Sequence, residues 1–502
     1  MPITRTVLDM AEHHPDQPAI VGDDGQLTYA QVVENSRRMF AVVDALHRAQ
    51  ATPPAPTAET AGIPITAVSI ASAFHTSRVI AGLAGFRAVS ATVDPQWPLE
   101  HRIGVILATG IGVVISDPTD LADALTVSGW TGTIITLAEF MQKEASAAPA
   151  VGPMVRDDEE PFLLLFSSGT TSNPKAFLKT RHQYRENFAV SSAHLEPRTG
   201  AATLAPGPVS YSLTLYALIE CLASGGSAHV ADVFDPLALG HRIRDEKITR
   251  VVAVPAIVQT LVDVARRNPD CLKTLELVVT GGANLPSILR TGLAEVLPQV
   301  RLISYYGAAE IGFIGDSRGG DGTRISVYEG IGVSIRNDHG AEVVDGELGT
   351  LWVQASACSE EYLPGTTDSV LKGADGWATV HDQGRLVDGA LVLAGRAGDI
   401  AVTGGHKVAL PVVERAFEGM PRLGAVCAVA LSHDRLGTVV ALIIEGNPPS
   451  KGELLARARQ KLAPQFVPRQ WYRAQRLPRT VGGKIRRPAV AELIARGEAV
   501  RL

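Results

Sequence analysis

The chain has 502 residues, 46% of them apolar and 20% charged, and a formal net charge of −6. That length exceeds what one compact core holds, so two or more domains are expected. The negative balance gives no electrostatic case for nucleic acid or an anionic membrane surface, so an anionic ligand needs a local basic site. The four cysteines, Cys221, Cys271, Cys358 and Cys427, lie far apart with no C-x-x-C pair. That argues against a zinc site and a disulfide framework. The opening residues Met1-Pro2-Ile3-Thr4-Arg5 carry no apolar signal core. No stretch reaches the ~18 apolar residues of a membrane span. A cytoplasmic protein without a membrane span is expected.

In chain order, residues 50–66 are rich in Ala, Pro and Thr and read as a solvated connection. Residues 67–94 read as a βαβ passage, with a strand at 67–70, a helix to about Ala88 and a strand at 91–93. Further strands are expected at 111–116 and 132–136. Strands alternating with helices imply a mostly parallel sheet covered on both faces. Residues 144–160 are rich in Ala and Pro and end in Asp157, Asp158, Glu159 and Glu160. They read as a surface linker whose charges are solvated.

The apolar run 162–166 reads as a buried strand. It breaks into Ser167, Ser168, Gly169, Thr170, Thr171 and Ser172, and Lys175 closes the loop. Small side chains let backbone N–H groups approach an anion, hydroxyls add donors, and the lysine adds a full charge, which is how proteins hold a polyphosphate. Pro174 stands before the lysine where a Walker A loop has glycine, so this is a different loop. A buried strand at 248–255 follows, then one at 277–280 that runs into Gly281, Gly282 and Ala283, an edge on which a planar ring can lie. Residues 302–310 end in Tyr305, Tyr306, Gly307 and Glu310. Tyrosine can stack on a base, and a lone carboxylate near phosphates can hold Mg²⁺. The glycine-rich run 315–322 reads as a loop, and 346–353 as a turn and strand. Asp382 can accept both hydrogens of a cis-diol. The last hundred residues alternate strands, at 425–431 and 439–444, with helices, and carry Gly482-Gly483-Lys484 near the end.

The stretch from Ser167 to Lys175 resembles the phosphate loop of the adenylate-forming superfamily: acyl-CoA synthetases, peptide-synthetase adenylation domains and luciferases. Tyr306-Gly307-Ala308-Ala309-Glu310, the Asp382 segment, Gly395-Arg396-Ala397-Gly398-Asp399 and Gly482-Gly483-Lys484 match further segments of that family in its order. The resemblance implies an α/β fold: a large N-terminal region of several subdomains with mostly parallel sheets over residues 1–394, and a small mobile C-terminal α/β domain over 395–502. It implies ATP, Mg²⁺ and CoA as ligands. Lys484, Glu310 and Thr170 are the implied catalytic residues, with Glu310 and Thr170 on the metal. Ser167, Ser168, Gly169, Thr171, Ser172, Lys175, Gly281, Gly282, Ala283, Tyr305, Tyr306, Gly307, Asp382 and Arg396 would bind the nucleotide, with Gly405 and Lys407 toward CoA. Relatives rotate the small domain between two half-reactions, which places a pivot at Gly398.

The chain departs from the family in places. Ala309 stands where a threonine is usual, and Val380-His381 stand where Thr-Gly is common. Ser210 by spacing, or Tyr211 by local pattern, takes the place of an acyl-pocket histidine. No aspartate at the family's ammonium-binding position is evident near Val233-Phe234-Asp235, so an acid other than an amino acid is preferred. The implied activity is an ATP-dependent ligase that makes an acyl-adenylate and passes the acyl group to CoA. Loading of a carrier-protein phosphopantetheine is the alternative acceptor. A nucleotide-binding regulator is a third reading, disfavoured by the presence of both Lys484 and Glu310.

Overall fold

The computed structural model describes all residues except 1–2, 55–57, 168–173, 321, 404–405, 434–436, 463 and 481–482. It divides into two compact units, one of residues 1–322, 326–332 and 353–378, the other of residues 323–325, 333–352 and 379–502.

After the helix Thr4–His13, the first unit continues with β1 (Pro18–Gly22) and β2 (Gly25–Thr28). One of its sheets is built from β3 (Ile65–Ser69), β4 (Val89–Thr92), β5 (Ile111–Ser116), β6 (Thr133–Ile135), β7 (Pro161–Ser167) and β8 (Lys175–Thr180), in the order β6-β5-β3-β4-β7-β8. Neighbours are parallel except β7 and β8. Every residue of β3, β4 and β5 is buried, as a strand covered on both faces requires. A capping box starts the helix Tyr29–Arg48: Gln31 N–H donates to Thr28 Oγ1, and the Gln31 side chain accepts from Thr28 N–H. That helix sets Met39, Val42 and Val43 against Val68, Leu83 and Phe140.

The second sheet of this unit adds β9 (Ala202–Ala205), β10 (Ser227–Val230), β11 (Arg250–Ala253), β12 (Leu277–Thr280), β13 (Arg301–Ala308) and β14 (Gly312–Ser317). Its order is β14-β13-β12-β11-β9-β10-β1-β2, parallel from β13 to β1 with an antiparallel strand at either end. Pro255 begins the helix Pro255–Arg267, where its missing N–H costs nothing, and Val258, Leu261 and Val262 pack onto the sheet core. In open parallel sheets, ligands meet the loops past the carboxyl ends of the strands. Ser210 follows β9, Val254 follows β11, Gly281 follows β12 and Glu310 follows β13.

In the second unit, Arg324 and Ile325 of β15 (Arg324–Val327) pair with β19 (Ala390–Arg396). β16 (Gly332–Arg336), β17 (Gly349–Gln354) and β18 (Asp382–Val387) continue that sheet, and β18 and β19 form a hairpin. The remaining strands are β20 (Ile400–Thr403), β21 (His406–Ala409), β22 (Val426–His433), β23 (Gly437–Glu445), β24 (Gln470–Ala474) and β25 (Val500–Arg501). They run in the order β21-β20-β23-β24-β25, with β22 also on β23. Among the described residues, the core of this part, including Val408, Phe417, Leu442, Leu454 and Trp471, draws only on residues from Ala401 onward.

Three sequence expectations need correction. Residues 50–66 are not solvated throughout: Thr60 and Ile63 are buried and β3 begins at Ile65, because the chain already dives into the core there. The run 315–322 is partly strand, since β14 continues to Ser317 on the strength of its pairing with β13. The acidic end of the 144–160 segment is not simply solvated. Glu160 accepts from Arg156 and Asp158 from Arg185, so these charges anchor the approach to β7. Among the described residues all four cysteines are free and buried, and no helix is long and apolar enough to cross a membrane.

Candidate active site

β7 and β8 are antiparallel, with Ser167 opposite Lys175. Ser168, Gly169, Thr170, Thr171 and Ser172 lie outside the described residues. Lys175 Nζ donates to Ser369 Oγ at 2.9 Å and sits 5.0 Å above the Tyr362 ring. Segment 357–369 runs along β8: Leu363 N–H donates to Ala176 O, Ala176 N–H to Thr366 Oγ1, and Phe177 bridges to Tyr362. Sequence reasoning assigned nothing to this segment.

Glu310 stands in the turn after β13 and is only 6% exposed. Its Oε1 accepts from the Tyr362 hydroxyl at 3.0 Å. Its carbonyl accepts from Lys179 Nζ and from Ser359 N–H, both at 2.8 Å. Lys179 is buried in β8 and also donates to Ala357 O at 2.6 Å; burial pushes its ammonium down to about 8. Among the described residues no cation lies within ion-pair distance of the Glu310 carboxylate. A nearly buried, hydrogen-bonded carboxylate with no described cation in ion-pair contact is a hard oxygen ligand of the kind Mg²⁺ takes. The residues therefore fit the ion that the resemblance implies.

Past β12, a Cβ on Gly281 would fall 2.3 Å from Cζ of Tyr305, so glycine is needed for the tyrosine ring to lie against this edge. The ring occupying the Gly281 edge is thus the protein's own, while Gly282 and Ala283 stay exposed. Tyr305 meets Phe313 edge-on at 4.8 Å, and burial raises its hydroxyl pKa. A bulge between Tyr306 and Gly307 shifts the β13–β14 register. Ser210 Oγ donates to Asp94 Oδ2 at 3.2 Å. Tyr211, next to it, has its hydroxyl pushed up to about 12 by burial and then by Asp94. Asp94, only 2% exposed, was not anticipated: beside the local Gln96 N–H, its partner Ser210 lies 116 residues away.

In the second unit, Asp382 and Arg396 face each other across the β18–β19 hairpin, Nε to Oδ1 at 3.3 Å. Lys484 lies on a tight loop: Thr480 N–H donates to Lys484 O, and Lys484 N–H to Thr480 Oγ1. The residue is exposed as a whole, yet the protein around its ammonium lowers its pKa through desolvation first, with Arg396 adding to the fall and Asp382 opposing it. The structure thus brings Asp382, Arg396 and Lys484 into one electrostatic neighbourhood. His381 adopts φ +63°, a left-handed conformation that favours glycine, directly beside Asp382. Gly405 lies outside the described residues, and Lys407 is a residue of β21.

A row of Ser227, His229 and Glu246 also escaped the sequence reading: Ser227 Oγ to His229 Nε2 at 3.1 Å, and His229 Nδ1 to Glu246 Oε2 at 2.6 Å. The N–H groups of Gly226 and Ser227 are committed to Cys221 O and Ala201 O, so neither is free to serve as an oxyanion donor. It fastens β10 to the helix Leu239–Asp245 and the residue after it.

Residues 75–363 match the family model for AMP-binding enzymes. The chain is 26% identical to an uncharacterized acyl-CoA ligase, YhfT, of Bacillus subtilis (strain 168), over 98% of both chains. Its fold is similar to that of o-succinylbenzoate CoA synthetase (MenE) from Bacillus subtilis in complex with the acyl-adenylate OSB-AMP, with a TM-score of 0.82, 18% identity and 97% of each chain covered. It is likewise similar to ATP-bound MatB from Rhodopseudomonas palustris, with a TM-score of 0.84, 17% identity and 98% of each chain covered.

Proposed function

The chain belongs to the AMP-binding enzyme family of the adenylate-forming superfamily, and from that premise we propose that it is an ATP-dependent acid–thiol ligase. A carboxylate is a poor electrophile until one oxygen carries a good leaving group. The carboxylate oxygen attacks the α-phosphorus of ATP, the bond to the bridging oxygen breaks, and pyrophosphate leaves with the electron pair. The thiol of CoA then attacks the acyl carbon, loses its proton, and AMP departs. The observation that carries this reading is the grouping of Asp382, Arg396 and Lys484. In it a diol-binding carboxylate, a guanidinium and an ammonium stand ready for ribose, phosphate and the reacting carboxylate.

The residues divide the work as follows. Asp382 accepts from the ribose hydroxyls, and Arg396 holds it in place. Lys484 offsets the negative charge that builds on the carboxylate and α-phosphate oxygens. Ser167 and Lys175 flank the donor loop for the β- and γ-phosphates, to which Ser168, Gly169, Thr170, Thr171 and Ser172 contribute. Tyr305, whose ring lies on Gly281, borders the base together with Tyr306, Gly307, Gly282 and Ala283. Glu310, with Thr170, would hold Mg²⁺, whose charge offsets that of the phosphates when bound. Gly405 and Lys407 are the residues proposed to meet CoA. An acid other than an amino acid is preferred, since Asp235 is exposed and its carboxylate accepts from Leu237 N–H.

The test is pyrophosphate release with ATP and Mg²⁺ across a panel of fatty, aryl and dicarboxylic acids, followed by CoA or a phosphopantetheinylated carrier as acceptor. Pyrophosphate release dependent on one acid, then CoA thioester, is expected. Thioester on the carrier alone would reassign the acceptor, and no release with any acid would sink the proposal. Lys484→Ala should slow adenylation by about 10²–10³-fold, as for loss of an oxyanion donor. It should leave thiolysis of a supplied acyl-adenylate far less affected. Equal loss in both half-reactions would make Lys484 structural.

A further inference from the structure

We propose that Tyr362 is a positioning residue for Glu310, and that Lys179 fixes the peptide beneath the same carboxylate. This rests on the reading of Glu310 as the cation ligand. Glu310 is almost out of water, so its polar atoms need partners within the protein. Among the described residues its side chain receives one, the Tyr362 hydroxyl on Oε1 at 3.0 Å. Its main chain receives two, Lys179 Nζ and Ser359 N–H. All three donors come from β8 and the segment laid along it.

Lys179 is the less expected member. A buried ammonium is costly, and an aliphatic side chain would fill the same space more cheaply. Among the described residues Lys179 has no carboxylate at ion-pair distance. Its hydrogens go to the carbonyls of Glu310 and Ala357. Those carbonyls belong to chain segments far apart in sequence, the turn after β13 and the stretch that carries Tyr362. One ammonium therefore fastens the turn to the segment from which Tyr362 reaches back to the turn's side chain. Because its hydrogens go to carbonyls, the ammonium makes no ion-pair contact with the Glu310 carboxylate, although the two charges still act on each other at longer range.

Tyr362 has a second contact, its ring under Lys175 Nζ at 5.0 Å. The lysine that closes the phosphate loop and the carboxylate that would hold the cation thus lean on one side chain. The ring takes the cation face-on, and the hydroxyl at its far end takes the anion. Tyr362 thereby sets the separation of the two charged groups that a metal-bound polyphosphate must bridge. Partners of this kind, one bond removed from the metal, orient ligating carboxylates.

The experiment titrates Mn²⁺ into protein saturated with a non-hydrolysable ATP analogue, with free Mn²⁺ read by electron paramagnetic resonance. Wild type, Tyr362→Phe, Lys179→Met and Glu310→Gln are compared, with the melting temperature of each. Tyr362→Phe keeps the ring beneath Lys175 and removes only the hydroxyl. It should weaken Mn²⁺ binding by about tenfold or more while melting within a few degrees of wild type. Lys179→Met should weaken it at least as much, and where that variant does not fold, Tyr362→Phe alone decides. Wild-type Mn²⁺ affinity in folded Tyr362→Phe, with Glu310→Gln impaired, overturns the proposal. Wild-type affinity in Glu310→Gln removes Glu310 as the cation ligand and overturns it by that separate route.

Discussion

At the scale of single residues, Lys484 shows how neighbours tune a group that local sequence only locates. The Gly-Gly-Lys spelling marks the loop, but its charge state depends on Asp382 and Arg396, some ninety to a hundred positions earlier. Desolvation and Arg396 lower the Lys484 pKa from the ordinary 10.5, and Asp382 pulls it back up. The ammonium is the form that offsets charge in adenylation, so the rate should fall as pH rises through this lowered pKa. The alkaline limb therefore lies below the usual lysine range. Arg396→Gln removes a lowering influence and should move the limb up in pH. Asp382→Asn removes a raising one and should move it down. Single-turnover pyrophosphate release at saturating ATP, measured against pH, reads both shifts. Identical limbs in wild type and both variants would mean that another group titrates.

Among elements, legibility in the sequence followed the range of the interactions. β7, β11 and β12 are apolar runs whose burial is written in consecutive residues, and each was readable. The segment 357–369 was not, because its work is done by Tyr362, Thr366 and Ser369 reaching partners 52, 190 and 194 residues away. Nothing in those residue types announces such partners. The glycines at 281 and 282 were readable as a bare edge, but the Tyr305 ring that lies on Gly281 comes from the neighbouring strand. The helix Tyr29–Arg48 gives a measurable case of the same long-range dependence. Its His47 packs against β3, Nε2 to Thr66 Oγ1 at 3.0 Å, and burial pushes its pKa down to about 4 from 6.5. The unfolded chain then binds the extra proton between pH 6.5 and 4 while the folded chain does not. Stability from this residue is intact above that window and lost as pH falls through it. The loss amounts to at most ~3 kcal/mol from a shift of this size. His47→Gln should flatten the fall in melting temperature over the same range. An unchanged acid slope would show that His47 titrates normally.

For the whole molecule, the proposed chemistry demands more than one arrangement of the chain. Adenylation needs Lys484 at the reacting carboxylate, and thioester formation needs a thiol at the same carbon, where Lys484 would stand in the way. We place the boundary of the moving part at Gly395 and its pivot at Gly398. The core from Ala401 onward is self-contained, which supports a body that moves as one. Gly398 sits in the short turn Ala397–Asp399, and a Cβ there would meet nothing, so its glycine is not demanded by packing. By contrast, Gly395 has φ +139° and a Cβ there would fall 2.9 Å from Pro411. A glycine that the observed conformation does not require is what a residue with a second conformation would look like. On its far side, Asp399 accepts from Arg487 Nε at 2.6 Å, and Arg487 begins the helix Arg487–Ala495 just after the Lys484 loop. Rotation at Gly398 would therefore carry Asp399, Arg487 and Lys484 together. Gly398→Pro fixes φ near −65° and denies the second conformation. In a single turnover it should still release pyrophosphate at least in part, while acyl-CoA formation fails. If the folded variant makes thioester at the wild-type rate, the pivot lies elsewhere in the chain.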